Sequence, residues 1–150
     1  MDQTFEEIRR LAEQGLTGCQ IELGNGYLVG TTVGGQKLPE DYAEARRWLE
    51  SAHKKGASTA TFILGTMYEE GKGVPVDILK AIEHYESAAE QGAYLPCVRL
   101  ARIYANGKGV PASRKQATDW YRKVLALEGE VDDQGEMSEA RTFLQQDRTP

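Results

Sequence analysis

The sequence is poor in the residues that metal and disulfide chemistry use. Among 150 residues there are two histidines, His53 and His84, and two cysteines, Cys19 and Cys97. Neither histidine has a second one at i, i+4, so metal-ligand spacing is missing. Two cysteines do not make a disulfide-rich scaffold. A basic excess is missing too: 18 Lys and Arg stand against 23 Asp and Glu, a net charge of −5, which argues against a general nucleic-acid-binding role. No apolar run approaches the roughly 18 residues of a membrane-crossing helix. The opening stretch MDQTFEEIRRLAEQG lacks the basic region and apolar core of a secretory signal. The expected location is therefore the cytoplasm, with the periplasm or secretion as the alternative if a signal was removed. What remains is a globular composition, 40% hydrophobic and 27% charged, at a length typical of one domain.

The chain repeats itself. Residues 57–92 align with 93–128 at an offset of 36: Leu64 on Leu100, Gly65 on Ala101, Tyr68 on Tyr104, Gly71 on Gly107, Pro75 on Pro111, Ala81 on Ala117 and Tyr85 on Tyr121. The same offset carries Asp77 back to Asp41 and His84 to Trp48, while further upstream it becomes 41, with Tyr68 on Tyr27. Three repeats follow, the first with five extra residues between Gly30 and Glu40.

In repeat two, apolar residues at 60, 63, 64, 67 and 68, and again at 78, 81, 82, 85, 88 and 89, have helical spacing. Each repeat is therefore a helix A and a helix B. Asp41, Asp77 and Ser113 stand just before helix B as N-caps, and Glu44 and Gln116, three residues on, have capping-box spacing. Gly15, Gly56 and Gly92 sit where B-type helices need a residue of positive φ. Gly24, Gly65 and Ala101 mark a close helix–helix approach on helix A, and Gly26 is expected to weaken the first helix A. Helical hairpins of this kind bury their apolar faces only by stacking, which makes the fold all-α and an α-solenoid. Residues 1–15 form an N-terminal capping helix opened by Thr4 and Glu7. Repeat one runs 16–56, repeat two 57–92 and repeat three 93–129. Residues 130–150 hold a polar loop (EVDDQGE), a capping helix at Ser138–Gln146 and a tail. Eight helices and no strand are expected, with the third helix A starting near Leu95 or Pro96.

These residues resemble the Sel-one-like repeat, a relative of the tetratricopeptide repeat. Repeat two carries the pattern most fully, in Ala60, Leu64, Gly65, Tyr68, Gly71, Gly73, Val74, Asp77, Lys80, Ala81, Tyr85, Ala88, Ala89 and Gly92. The resemblance implies a right-handed superhelix with helix A on the concave side. It implies a protein–protein interaction module, a scaffold or adaptor. In bacteria, similar proteins serve signalling and host contact, and some are immunity proteins against secreted toxins, which is the alternative function. The chain lacks the within-repeat cysteine pairs of the cysteine-rich subgroup.

No constellation for catalysis is visible, and no cofactor or metal is called for. His84 takes the slot of Trp48 and Trp120, which reads as packing. Cys19 and Cys97 lie two repeats apart on A helices, too far for the roughly 7 Å Cα spacing of a disulfide, and are expected as free thiols. The GKGV turns follow a helix and lead into Pro, unlike a phosphate-binding loop. The candidate site is the non-core face of helix A: Glu22 and Asn25 in repeat one, Thr59, Thr66 and Glu70 in repeat two, and Tyr94, Arg99 and Arg102 in repeat three. The insertion Thr31–Leu38 is a second candidate, as readily an idle loop as a binding one. Charge is uneven: residues 57–92 carry −4, 93–128 carry +5 and 129–150 carry −4. The basic block is either a docking surface for an acidic partner segment or a solvated face with i, i+4 pairs.

Overall fold

A computed structural model describes residues 2–127 and 134–146. The elements run α1 (Phe5–Glu13), α2 (Thr17–Val29), β1 (Thr32–Val33), β2 (Gln36–Lys37), α3 (Tyr42–Lys54), α4 (Ser58–Glu70), α5 (Ile78–Glu90), α6 (Tyr94–Asn106), α7 (Arg114–Ala126) and α8 (Gln134–Gln145). The contacts divide them into two compact units, Met1–Asp77 and Ile78–Pro150. The division falls within repeat two, between its A and B helices.

Local chemistry sets the helix ends. Thr4, Asp41 and Ser113 accept from the backbone N–H groups of Glu7, Glu44 and Gln116 at 3.3, 3.1 and 3.3 Å, satisfying donors that a helix start leaves orphaned. The reciprocal half of a capping box is not made at Asp41 and Ser113, because their own N–H groups are already used. In all three repeats the N–H before helix B donates to the carbonyl of the helix A tyrosine. The bonds are Asp41 to Tyr27 at 2.8 Å, Asp77 to Tyr68 at 2.9 Å and Ser113 to Tyr104 at 2.9 Å. The A helices end on Gly30, Gly71 and Gly107, all left-handed at φ 64–70°, a region costly for a residue with a Cβ. Gly15, Gly56 and Gly92 have the expected positive φ.

In the first unit, Phe5, Ile8, Cys19, Leu23, Val33, Leu38 and Trp48 form one apolar cluster, and Leu28, Ala45, Leu49, Leu64 and Met67 belong to another. The first cluster corrects two expectations. The insertion contains strands: Thr32 pairs with Lys37 and Val33 with Gln36, antiparallel across Gly34–Gly35. The insertion is packed onto α1 and the core: Val33 and Leu38 are 4% and 1% exposed and the Phe5 N–H donates to Gly34 O at 3.0 Å. Gly26 does not interrupt α2. A Cβ there would lie 2.5 Å from Val33 Cγ2 and 3.0 Å from Leu38 Cδ1, so the glycine makes room for the hairpin. Val33→Ala should therefore cost about 1.5 kcal/mol for two lost buried methylene equivalents. Urea denaturation checks this, and an unchanged midpoint would show the hairpin to be ornamental.

In the second unit, Cys97, Val98, Ala101, Tyr121, Val124, Met137 and Ala140 form the core. Helix α6 starts at Tyr94, with Pro96 in its first turn, where a missing N–H costs nothing. Helix α8 starts four residues earlier than Ser138, so Gln134–Glu136 are helical rather than loop. The expected loop residues 130–133 and Gly129 lie outside the described residues. On this helix Met137 and Ala140 are 2% and 0% exposed.

Candidate partner-binding surface

Helices α2 and α4 in the first unit and α6 in the second carry the expected site residues. On α2, Glu22 and Asn25 are exposed beside buried Leu23 and Gly24. On α4, Thr59 and Glu70 are exposed. Glu70 pairs with Lys72 at 3.0 Å, and half-buried Thr66 donates to Ile63 O at 2.7 Å. Glu22 and the insertion, suggested separately by the sequence, come together. Asp2, Gln3, Thr4, Ile8, Glu22, Gly34 and Gly35 line one open cleft of about 520 Å³. Its charged walls, Asp2 and Glu22, are both acidic.

On α6, Tyr94, Arg99 and Arg102 are half-buried, and Arg102 is engaged within its own unit. Its Nε donates to Glu139 Oε1 at 2.9 Å and its Nη2 to Oε2 at 2.6 Å. This is a bidentate fork of the strong kind. Glu136 Oε1 stands 4.0 Å away. The Tyr121 hydroxyl donates to Glu139 Oε1 at 2.6 Å. The bond from Arg102 is the main reason the Glu139 carboxyl lies below its ordinary range. Burial, then the bond to Glu139, pushes the Tyr121 phenol well above its own. Glu139 and Tyr121 were not singled out from the sequence. The one signal for them was the −4 segment following the +5 segment.

Other members of the basic block also have internal partners. Arg114 donates to Phe143 O at 3.2 Å and lies over the Phe143 ring at 4.4 Å. Lys115 pairs with Asp119 at 3.5 Å. Lys123 lies 4.1 Å over the Trp120 ring. Of these contacts, Lys115–Asp119 is an i, i+4 pair.

The thiols and imidazoles take structural places. Cys19 and Cys97 are buried and free, and burial is the leading cause of the raised pKa of both, the opposite of what a nucleophile needs. His53 Nδ1 lies 2.7 Å from Thr61 Oγ1. The Thr61 hydroxyl is within bonding distance of Ala57 O, 3.2 Å. His84 Nδ1 donates to Lys80 O at 2.8 Å. Among the described residues, no three His, Cys, Asp or Glu side chains are grouped to hold a metal ion, and no helix is long and apolar enough to cross a membrane.

Solved structures with the same architecture are known. A protective antigen of uropathogenic Escherichia coli, described as displaying an SLR fold, is 30% identical with a TM-score of 0.73 over 81% of this chain. The chain spans 25% of that antigen's length. A Sel1 repeat protein from Oxalobacter formigenes is 30% identical with a TM-score of 0.71, over 91% of this chain and 96% of that one. Cysteine-rich protein B of Helicobacter pylori is 24% identical with a TM-score of 0.61, over 82% and 90% of the two chains. No curated protein matches. The Sel1 repeat model matches residues 18–56, 58–92 and 97–124, one match for each repeat derived above. With its all-α solenoid fold and most of its length inside these three matches, the chain belongs to the Sel1 repeat family, whose members are generally protein–protein interaction modules.

Proposed function

We propose that this chain is a non-enzymatic adaptor that binds a protein or peptide segment through the exposed face of its A helices. The observation that carries the reading is the cleft beside α2. Glu22 projects there beside the buried Leu23 and Gly24, and the packed hairpin supplies a wall. A rigid scaffold that holds a polar, open cleft suits an extended segment. The acidic walls favour a segment with a basic side chain.

Capture from the native lysate tests the reading, with wild type beside Glu22→Lys, Asn25→Arg and, separately, Arg99→Glu. A partner retained by wild type and lost by the first variant, with helicity intact, supports a helix A site in the first unit. Loss only with Arg99→Glu moves the site to α6, and retention by both variants sinks the reading. Arg102 is unsuited to charge reversal, because a carboxylate there would face Glu139 and Glu136 and unseat α8. One tight partner, in place of several weak ones, would favour the alternative of a dedicated toxin inhibitor.

A further inference from the structure

Helix α8 sits on α6 and α7 in the manner of a bound ligand. Met137, Ala140 and Phe143 recur at intervals of three and share a helix face. Met137 and Ala140 are buried, and the Phe143 ring lies 4.7 Å from that of Tyr121. Glu139 rides beside this face into the fork of Arg102, with the Tyr121 hydroxyl on the same carboxylate. The receiving surface therefore reads two things, an apolar stripe and one carboxylate at a fixed place along it.

Two features make this seat exchangeable. The carboxylate clasp is open at its rim: the Arg102 and Glu139 side chains are 42% and 34% exposed, so a competing carboxylate can reach the guanidinium before α8 has left. A helix of 12 residues is also marginal on its own in water. Seating α8 therefore includes the entropy of forming it, a cost that an already helical partner segment does not carry.

Charge gives the occupant its chemistry. Residues 93–128 carry +5, and α8 meets them with two carboxylates, Glu139 at 2.6 Å and Glu136 at 4.0 Å from Arg102. We propose that the face of α6 and α7 bearing Arg102, Tyr121 and Arg114 is a helix-docking surface, filled in cis by α8. In trans it takes an acidic amphipathic helix of a protein partner, with a carboxylate set between two apolar anchors. The inference rests on the chain being an interaction module and deepens that reading: α8 sets the threshold for binding at this surface. The partner's apparent affinity is its intrinsic affinity multiplied by the fraction of molecules in which α8 is undocked.

The probe is a fluorescent peptide with the sequence of residues 134–146, titrated into the full chain as wild type, as Phe143→Ala and as Glu139→Ala. The expected result is at least tenfold tighter binding to both variants than to wild type. That gain should disappear when Arg102→Ala is added. A peptide carrying Gln in place of Glu139 should bind about tenfold more weakly. Equal binding to all chains, or none, overturns the proposal provided the variants keep their near-ultraviolet circular dichroism. Loss of that signal and of cooperative unfolding in both single variants overturns it as well, since α8 would then be an inseparable part of the core. The peptide reads the surface without any cellular partner. Failure of the lysate capture therefore leaves this result standing, and failure here leaves the α2 cleft untouched.

Discussion

Gly24→Leu should cost the first unit about 3 kcal/mol, the upper range for forcing bulk into a packed core. The first added atom already collides: a Cβ on Gly24 would lie 2.6 Å from Leu49 Cγ, 2.8 Å from Leu49 Cδ2 and 3.3 Å from the Ala45 carbonyl oxygen. Leu49 is fully buried and has nowhere to turn, and the carbonyl belongs to the backbone of α3. Gly24→Ala should destabilise as well, by less. Gly18 provides the contrast on the same helix. It is exposed, and a Cβ there meets nothing within 4 Å. Gly18→Ala should stabilise by up to about 1 kcal/mol, the helix preference for alanine over glycine. Urea denaturation of the three variants reads both signs. If Gly24→Ala were stabilising too, the recurring small residue on helix A would have no packing role.

Gly24 also shows which parts of the fold were legible in the sequence. Its recurrence as Gly65 and Ala101 could be read because the constraint returns every repeat. The same holds for the caps at Asp41 and Ser113 and for the tyrosines of helix A. A constraint imposed once leaves no such trace. Val33, in a strand of two residues, and Leu38, just past the other, are buried in a hairpin too short for alternation to show, and the space left for them by Gly26 looks in sequence like a weak point of a helix. The extra start of α8 was hidden for a similar reason. Gly135 disfavours a helix, and the buried Met137 just beyond it gave no spacing signal on its own. Of the site residues, Glu22 and Asn25 were legible as polar positions on a helix whose core face was already known. That Arg102 is held from 37 positions away by Glu139 was not, because pairing across the fold has no spacing rule.

Glu139→Ala should destabilise the second unit by about 2–3 kcal/mol. The ion pair contributes the smaller share. Its side chains are 42% and 34% exposed, and pairs open to water contribute about 1 kcal/mol or less. The larger share comes from the Tyr121 hydroxyl, on a residue 3% exposed, which loses its acceptor; a buried orphaned donor costs about 1–3 kcal/mol. Glu139→Gln keeps a carbonyl oxygen for Tyr121 and gives up only the charge, so it should cost about 1 kcal/mol. The two variants should differ most clearly in their pH dependence. The folded Glu139 carboxyl lies below its ordinary range. Its contribution is therefore fully present above the unfolded carboxylate pKa of about 4.3 and is lost as the pH falls through the lower, folded value. The Tyr121 phenol is raised, so its contribution is present below its unfolded pKa of about 10 and declines as the pH rises from there toward the folded value. Wild type should thus lose stability at both edges. Glu139→Gln should flatten the acid edge, and Tyr121→Phe the alkaline one. Thermal unfolding from pH 3 to pH 11 checks this. An acid edge that keeps its full slope in Glu139→Gln would mean that other carboxylates set the acid stability and that the clasp on α8 is energetically silent.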